Sequence, residues 1–138
     1  MYSFFSKIAL VRRIYTNRLQ EKLNLHGVTT TQWALIRYLK DNGSSTLSDV
    51  ADFWHVEKPS ITPIVQKLVA QEIIIILSGE DKRQKIMKLS EKGISLYQLI
   101  KQTTDVFLEK IMEGITQEER EIAEQSLNQL FVNLQKRG

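Results

Sequence analysis

Cysteine is absent from the 138 residues, which excludes disulfides, thiolate metal sites and thiol redox switches. Histidine is almost absent: His26 and His55 are the only two, and neither stands in H-E-x-x-H or any other metal-ligand spacing. Both read as structural, His26 at the end of a first helix and His55 in a turn. The chain has no glycine-rich phosphate loop and no G-x-S-x-G elbow. Lacking a catalytic constellation, a metal site or a cofactor motif, it is not expected to be an enzyme. Long apolar runs are missing too. The longest, Ile73 to Leu77, is five residues, against the ~20 of a membrane helix. The opening MYSFFSKIALVRR carries Lys7 inside its apolar stretch and Arg12-Arg13 after it, with no small-residue cleavage site, so it does not read as a signal peptide. A cytoplasmic protein with no membrane partner is predicted.

What is present suits one folded domain. Hydrophobic residues make up 42% of the chain and charged residues 25%, enough for a core and a solvated surface. The formal charge of +3 permits a nucleic-acid partner without requiring one. Where the cations sit matters more than their sum.

Helical spacing opens the chain. Phe4, Ile8, Val11, Tyr15, Leu19 and Leu23 form one apolar stripe that Gly27 ends. Thr29 or Thr30 caps a second helix with Trp33, Ile36 and Leu39 inward, closed by Asn42-Gly43. Thr46 with Asp49 is a capping-box spacing before a short helix burying Leu47, Val50, Ala51 and Trp54. After His55-Val56 another helix begins near Pro59 or Ser60, with Ile61, Ile64, Val65, Leu68 and Val69 inward. Two short amphipathic helices joined by about four residues make a helix-turn-helix.

The period then changes. Ile73 to Leu77 is a β-branched run, a polar turn follows, and Gln84 to Leu89 alternates. A hairpin after a helix-turn-helix is a winged helix. Ser90 caps a long helix towards Glu113, Gly114 breaks it, and Thr116 with Glu119 opens a last helix carrying Ile122, Leu127, Leu130, Phe131 and Leu134. The fold class predicted is α+β, mostly helical.

With the apolar stripe of the second short helix turned inward, Ser60, Thr62, Pro63, Gln66 and Lys67 face outward or sit at the edge. Short hydrogen-bonding groups around a cation suit a major groove. Gln66 has the amide to read adenine, and Lys67 the charge for guanine or phosphate. Ser60 and Thr62, near the helix start, are candidates to join free N–H groups on a phosphate. The segment from Lys82 to Lys92 holds five cations against Glu91 alone. Of these, Lys82, Arg83 and Lys85 are candidate DNA contacts, with Arg83 suited to a narrow minor groove.

In this order and spacing the chain resembles the multiple antibiotic resistance regulator (MarR) family. The stretches that carry the resemblance are VTTTQWALIRYL, TLSDVADFWHVEKPSITPIVQKLVAQ, GEDKRQKIMKLSEKG and the terminal ITQEEREIAEQSLNQL. The wing signature Asp-x-Arg stands as Asp81-Lys82-Arg83, with LSEKG at the family's spacing. Three features depart from the pattern: His55 stands where the turn often has Gly, the first wing strand is wholly aliphatic, and Pro63 lies in the recognition helix.

The resemblance implies a single domain in which residues 29–90 are the DNA-binding winged helix and residues 1–27 and 91–138 supply dimerisation helices. It implies a homodimeric, ligand-responsive repressor of a pseudo-palindromic operator in double-stranded DNA. Asp81 is implied as the residue that orients Arg83. It further implies a small-molecule effector between the dimer helices and the reading head, with Trp33, Tyr38, Phe53 and Trp54 as candidate walls, although core packing accounts for these aromatics equally well. The alternative is a winged-helix protein-interaction module that docks a partner on Ile73 to Leu77 and leaves DNA alone.

Overall fold

A computed structural model describes residues 2–79 and 84–136, the side chain of Tyr2 excepted; Asp81, Lys82 and Arg83 lie outside the described residues. The elements run α1 (Tyr2–Asn24), α2 (Thr30–Asn42), β1 (Ser45–Thr46), α3 (Leu47–Trp54), α4 (Lys58–Ala70), β2 (Ile74–Ser78), β3 (Lys85–Leu89), α5 (Glu91–Ile111) and α6 (Gln117–Gln135). The three strands form one antiparallel sheet in the order β1-β3-β2. This is the winged helix the sequence predicts, with one strand added. β1 is only two residues long, and its pairing with Met87 and Ile86 is long-range.

The chain falls into two units, one up to Asp105 and one from Val106 onward, so the division lies within α5. In the first unit the core gathers Leu19 and Leu23 of α1, Trp33, Leu35, Ile36 and Leu39 of α2, Val50 and Ala51 of α3, and Ile61 and Leu68 of α4. Ile73, Ile74, Met87 and Leu89 bring the wing onto it. Each large aliphatic side chain so buried contributes roughly 1.5–3 kcal/mol. The apolar stripe of α1 is covered only at its C-terminal end: Phe4, Ile8 and Val11 are exposed, whereas Leu23 is fully buried.

Caps set the helix starts. Thr29 accepts from the Gln32 N–H at 3.1 Å while Gln32 accepts from the Thr29 N–H at 3.0 Å. Thr46 and Asp49 do the same for α3 at 3.1 and 2.9 Å. In the second unit Thr116 and Glu119 repeat the motif at 3.1 and 3.0 Å. The Thr116 backbone N–H, then its hydroxyl, holds the Glu119 carboxyl below the usual carboxylate range. No residue of α6 is buried, and Ile122, Leu127, Phe131 and Leu134 are all exposed.

Three helices of the first unit end on left-handed residues, Gly27, His55 and Glu72. In each, the next residue's N–H reaches back five positions: Val28 to Leu23, Val56 to Ala51 and Ile73 to Leu68, at 3.4, 3.1 and 2.9 Å. That is the Schellman closure, in which glycine bears no Cβ penalty. Glu72, at φ 62°, bears it in full. Glu72→Gly is therefore expected to stabilise the protein by about 0.5–1 kcal/mol, read as a higher urea midpoint at unchanged m-value.

Candidate nucleic-acid interface

The turn between α3 and α4 is made by His55 at φ 56°, ψ 45°. Short polar or aromatic residues enter this region more readily than β-branched ones, so a histidine serves where relatives often use glycine. Glu57, in extended conformation, then precedes α4, which begins at Lys58 with Pro59 in its first turn. The earlier start leaves Pro63 inside the helix, where it has no N–H to offer the Pro59 carbonyl. Beside it the Thr62 hydroxyl donates to the Lys58 carbonyl at 3.2 Å. The Ser60 N–H is likewise engaged, on the Glu57 carbonyl at 3.0 Å. Of the two residues proposed for a phosphate, the exposed Ser60 keeps its hydroxyl to offer, with the Ser60 N–H and the Thr62 hydroxyl proton already in use.

Ile61 and Leu68 anchor α4 in the core, fully buried, with Ile64 and Val65 half-buried beside them. At about 100° per residue that fixes the rest of the wheel. Thr62, Gln66 and Val69 lie on one flank, Lys67 and Ser60 on the other, and Pro63 between them. Pro63, Gln66 and Lys67 are all exposed. The wing stands on the Gln66 flank. Lys85, exposed at the start of β3, shares its strand face with buried Met87 and Leu89. A cavity of about 560 Å³ separates this face from α4, and Thr62, Gln66 and Lys85 are among its walls. The structure therefore brings together Thr62, Gln66 and Lys85. It turns Lys67 and Ser60 to the far side of the same helix. Asp81, Lys82 and Arg83 belong to the undescribed wing segment.

The aromatic residues divide. Trp33 is buried and stacks on Tyr97, ring centroids 5.6 Å apart, with the Arg37 guanidinium 5.7 Å from the indole. Tyr38, some 140° further round α2, instead meets Phe53 at 5.2 Å. Phe53 is 66% exposed and Trp54 half-buried. Trp33 and the Tyr38–Phe53 pair thus face different ways, and none of the four lines the 560 Å³ cavity.

Sequence reasoning passed over the residues that hold the wing to the body. The Ser90 hydroxyl donates to the Glu72 carbonyl at 2.6 Å, and its N–H to the Ile73 carbonyl at 3.0 Å. Lys92 caps the end of α4 through the Gln71 carbonyl at 2.8 Å. Gly93 lies so close to Ile73 that a Cβ there would stand 2.3 Å from its carbonyl oxygen. The signal was the LSEKG stretch, which reads as a helix start until the wing base is placed against it.

Comparison with known proteins agrees with this geometry. A family model described as MarR family matches residues 26–84. An uncharacterized HTH-type transcriptional regulator of Staphylococcus aureus is 28% identical over 98 residues, 70% of this chain and 67% of the relative. Among solved structures, Staphylococcus aureus MarR in complex with salicylate and kanamycin superposes with a TM-score of 0.87 at 24% identity, over 99% of this chain and 93% of that one. A mutant MarR from E. coli complexed with operator DNA gives 0.85 at 18% identity, over 93% of each chain. At these identities the two structures speak for the fold, while the family model and the curated relative speak for descent. The chain belongs to the MarR family of winged helix-turn-helix transcription regulators.

Proposed function

We propose that the protein is a homodimeric, ligand-responsive repressor that binds a pseudo-palindromic operator through α4 and the wing. The observation that carries this reading is the outward set on α4: an anchored helix presents Gln66 on the flank beside Lys85 of the wing and Lys67 on the opposite flank. The dimer is supported by apolar surface that the subunit leaves uncovered on α1 and α6, taken separately. Phe4, Phe5 and Ile8 on α1, and Ile122, Leu127 and Leu134 on α6, are each at least 37% exposed. Twofold symmetry would then present two copies of α4 to two half-sites. Operator and small-molecule complexes are known for the two structural relatives named above, which supports both halves of the proposal. The effector walls proposed from sequence, Trp33, Tyr38, Phe53 and Trp54, are separate from the cavity beside α4.

The test is selection of bound fragments from the source genome, followed by fluorescence anisotropy on one fragment at several salt concentrations, with dimer mass checked by sedimentation. Specific binding should fall steeply with salt, as phosphate neutralisation requires. The second reading keeps one observation in its favour. β2 has β3 on one side only, and its Ile75 and Leu77 are 45% and 43% exposed. Absence of any salt-dependent shift would favour that protein-docking module.

The wing gives a sharper test. Arg83→Ala should weaken operator binding by ~1–3 kcal/mol with the dimer intact. Asp81→Ala should weaken it as well, although it removes a negative charge near DNA. Tighter binding by Asp81→Ala would mean that bulk charge governs the wing and that Asp81 orients nothing.

A further inference from the structure

We infer that Gln20 is the positioning residue that fixes the two reading heads of the dimer relative to each other, and through them the half-site spacing that the protein accepts. The inference deepens the proposed function and rests on its dimeric, DNA-binding reading.

Gln20 is half-buried on α1, one residue after Leu19, where the helix passes from its exposed half into the core. Its Nε2 donates to the Val28 carbonyl at 3.0 Å and to Asn24 Oδ1 at 2.9 Å. Its Oε1 accepts from the Thr30 N–H at 3.0 Å. Both amide protons are thereby used. Thr29, between the two backbone partners, is extended at φ −88°, ψ 166°. An extended residue leaves the carbonyl before it and the N–H after it on the same side of the chain, so one side-chain amide meets both, as a neighbouring strand would. Val28 is 3% exposed, and Thr30 is the first residue of α2. The amide therefore holds the start of α2, whose Trp33, Leu35, Ile36 and Leu39 belong to the core that also seats α4.

Apolar contact between α1 and α2 holds them together without fixing a direction. Bonds from one amide to two backbone atoms do fix it. The direction matters because of where α1 leads. Its other half presents Phe4, Phe5 and Ile8, exposed in the subunit and assigned above to the dimer contact. From Phe4 to Gln20 the helix runs about 24 Å at 1.5 Å per residue. A slack of about 8° at Gln20 would thus displace a head against the dimer contact by about 3.4 Å, the rise of one base pair. Half-sites set one base pair further apart differ by that distance and by roughly 35° of rotation. A head held by Gln20 accepts one spacing, whereas a head released from it follows its neighbours.

Two variants break the hold from opposite sides. Gln20→Met keeps the side chain's length and helix propensity while removing its three bonds. Thr30→Pro puts a ring carbon where the donated proton stood. It does so at the first helical position, which favours proline, and after a residue already in the extended conformation that proline requires. Circular dichroism checks that both fold. The absence of cysteine allows one spin label per chain through Asp41→Cys, at the exposed end of α2. The distance between labels across the dimer is then measured without DNA. A narrow distribution is expected for the parent and a broadened one for both variants. In the second arm, operators with the selected spacer and with one base pair more or less are titrated. Both variants should narrow the parent's spacer preference by roughly tenfold, the most that release of two neutral hydrogen bonds supplies. Base preference within a half-site should stay unchanged. Unbroadened distances in a folded, dimeric variant overturn the inference and leave Gln20 a contributor to stability. A loss of affinity equal for all three spacers overturns it as well. A monomeric parent sinks the dimer reading and this inference together. A dimer that ignores DNA sinks the repressor reading and its spacing consequence, while the label distances still decide whether Gln20 fixes the heads.

Discussion

Gly93→Ala is expected to be the most damaging single methyl that can be added to the wing base, costing about 3 kcal/mol, the upper end of core overpacking. The added Cβ would lie 2.3 Å from the Ile73 carbonyl oxygen and 3.2 Å from Leu89 Cδ2. A flexible side chain can yield to such a contact, but this oxygen is backbone. It is held by the Ser90 N–H at 3.0 Å, and Ile73 itself is 3% exposed. Moving it would loosen the start of both β2 and α5. Gly27→Ala is the matched control, since φ there is 71° but nothing lies within 4 Å of the added Cβ. That substitution should cost only the left-handed strain, about 1–2 kcal/mol. Urea unfolding of the two variants, extrapolated linearly, separates contact from conformation. Equal losses would mean that the Ile73–Gly93 approach relaxes freely and that the glycine of LSEKG serves some other end.

The contrast between these two glycines marks where sequence stops informing. Gly27 follows an apolar stripe, and a helix stop is legible from that neighbourhood alone. Gly93 stands inside a helix, and the reason is a carbonyl twenty residues earlier in the chain. Local signals transferred well: Thr46 with Asp49 and Thr116 with Glu119 both form the reciprocal bonds that their spacing predicts. The outward face of α4 was legible for the same reason, because a helix fixes angles from residue numbers. Long-range facts were not. β1 exists only because Ser45 and Thr46 lie beside Met87 and Ile86. Glu72 in a left-handed turn carries no local mark, since glycine is the usual signal and it is missing. Periodicity named an apolar face on α1 without saying what covers it, and in the subunit only the end near Leu19 and Leu23 is covered. The aliphatic run of β2 concealed a division too: Ile73 and Ile74 are buried, Ile75 and Leu77 are not. The cavity beside Gln66 needed both α4 and the hairpin in place before it could be seen. Trp33 and Tyr38, five residues apart on one helix, meet different partners, Tyr97 and Phe53, which their shared aromatic character does not reveal.

Gln66→Ala and Lys67→Ala are expected to injure DNA binding in different ways, although the residues are adjacent. Their side chains diverge by about 100° around α4. Gln66 lies on the flank that faces Lys85 and nearer the centre of the exposed face, opposite the buried Ile61 and Leu68. An amide there has the donor and acceptor that a base edge requires. Gln66→Ala should therefore relax preference at one position in each half-site, at ~1–3 kcal/mol on the preferred base. Lys67 lies towards the opposite margin of that face, where a flexible ammonium meets backbone before bases. Lys67→Ala should weaken all sequences alike and reduce the salt slope by about one unit per subunit, the signature of a lost phosphate contact. Both side chains are exposed, so neither substitution should unfold the helix. Binding-site selection on both variants at two salt concentrations reads the difference directly. A shifted base preference in Lys67→Ala with none in Gln66→Ala would exchange the two roles. If neither variant changes affinity, preference or salt slope, this face of α4 does not read DNA.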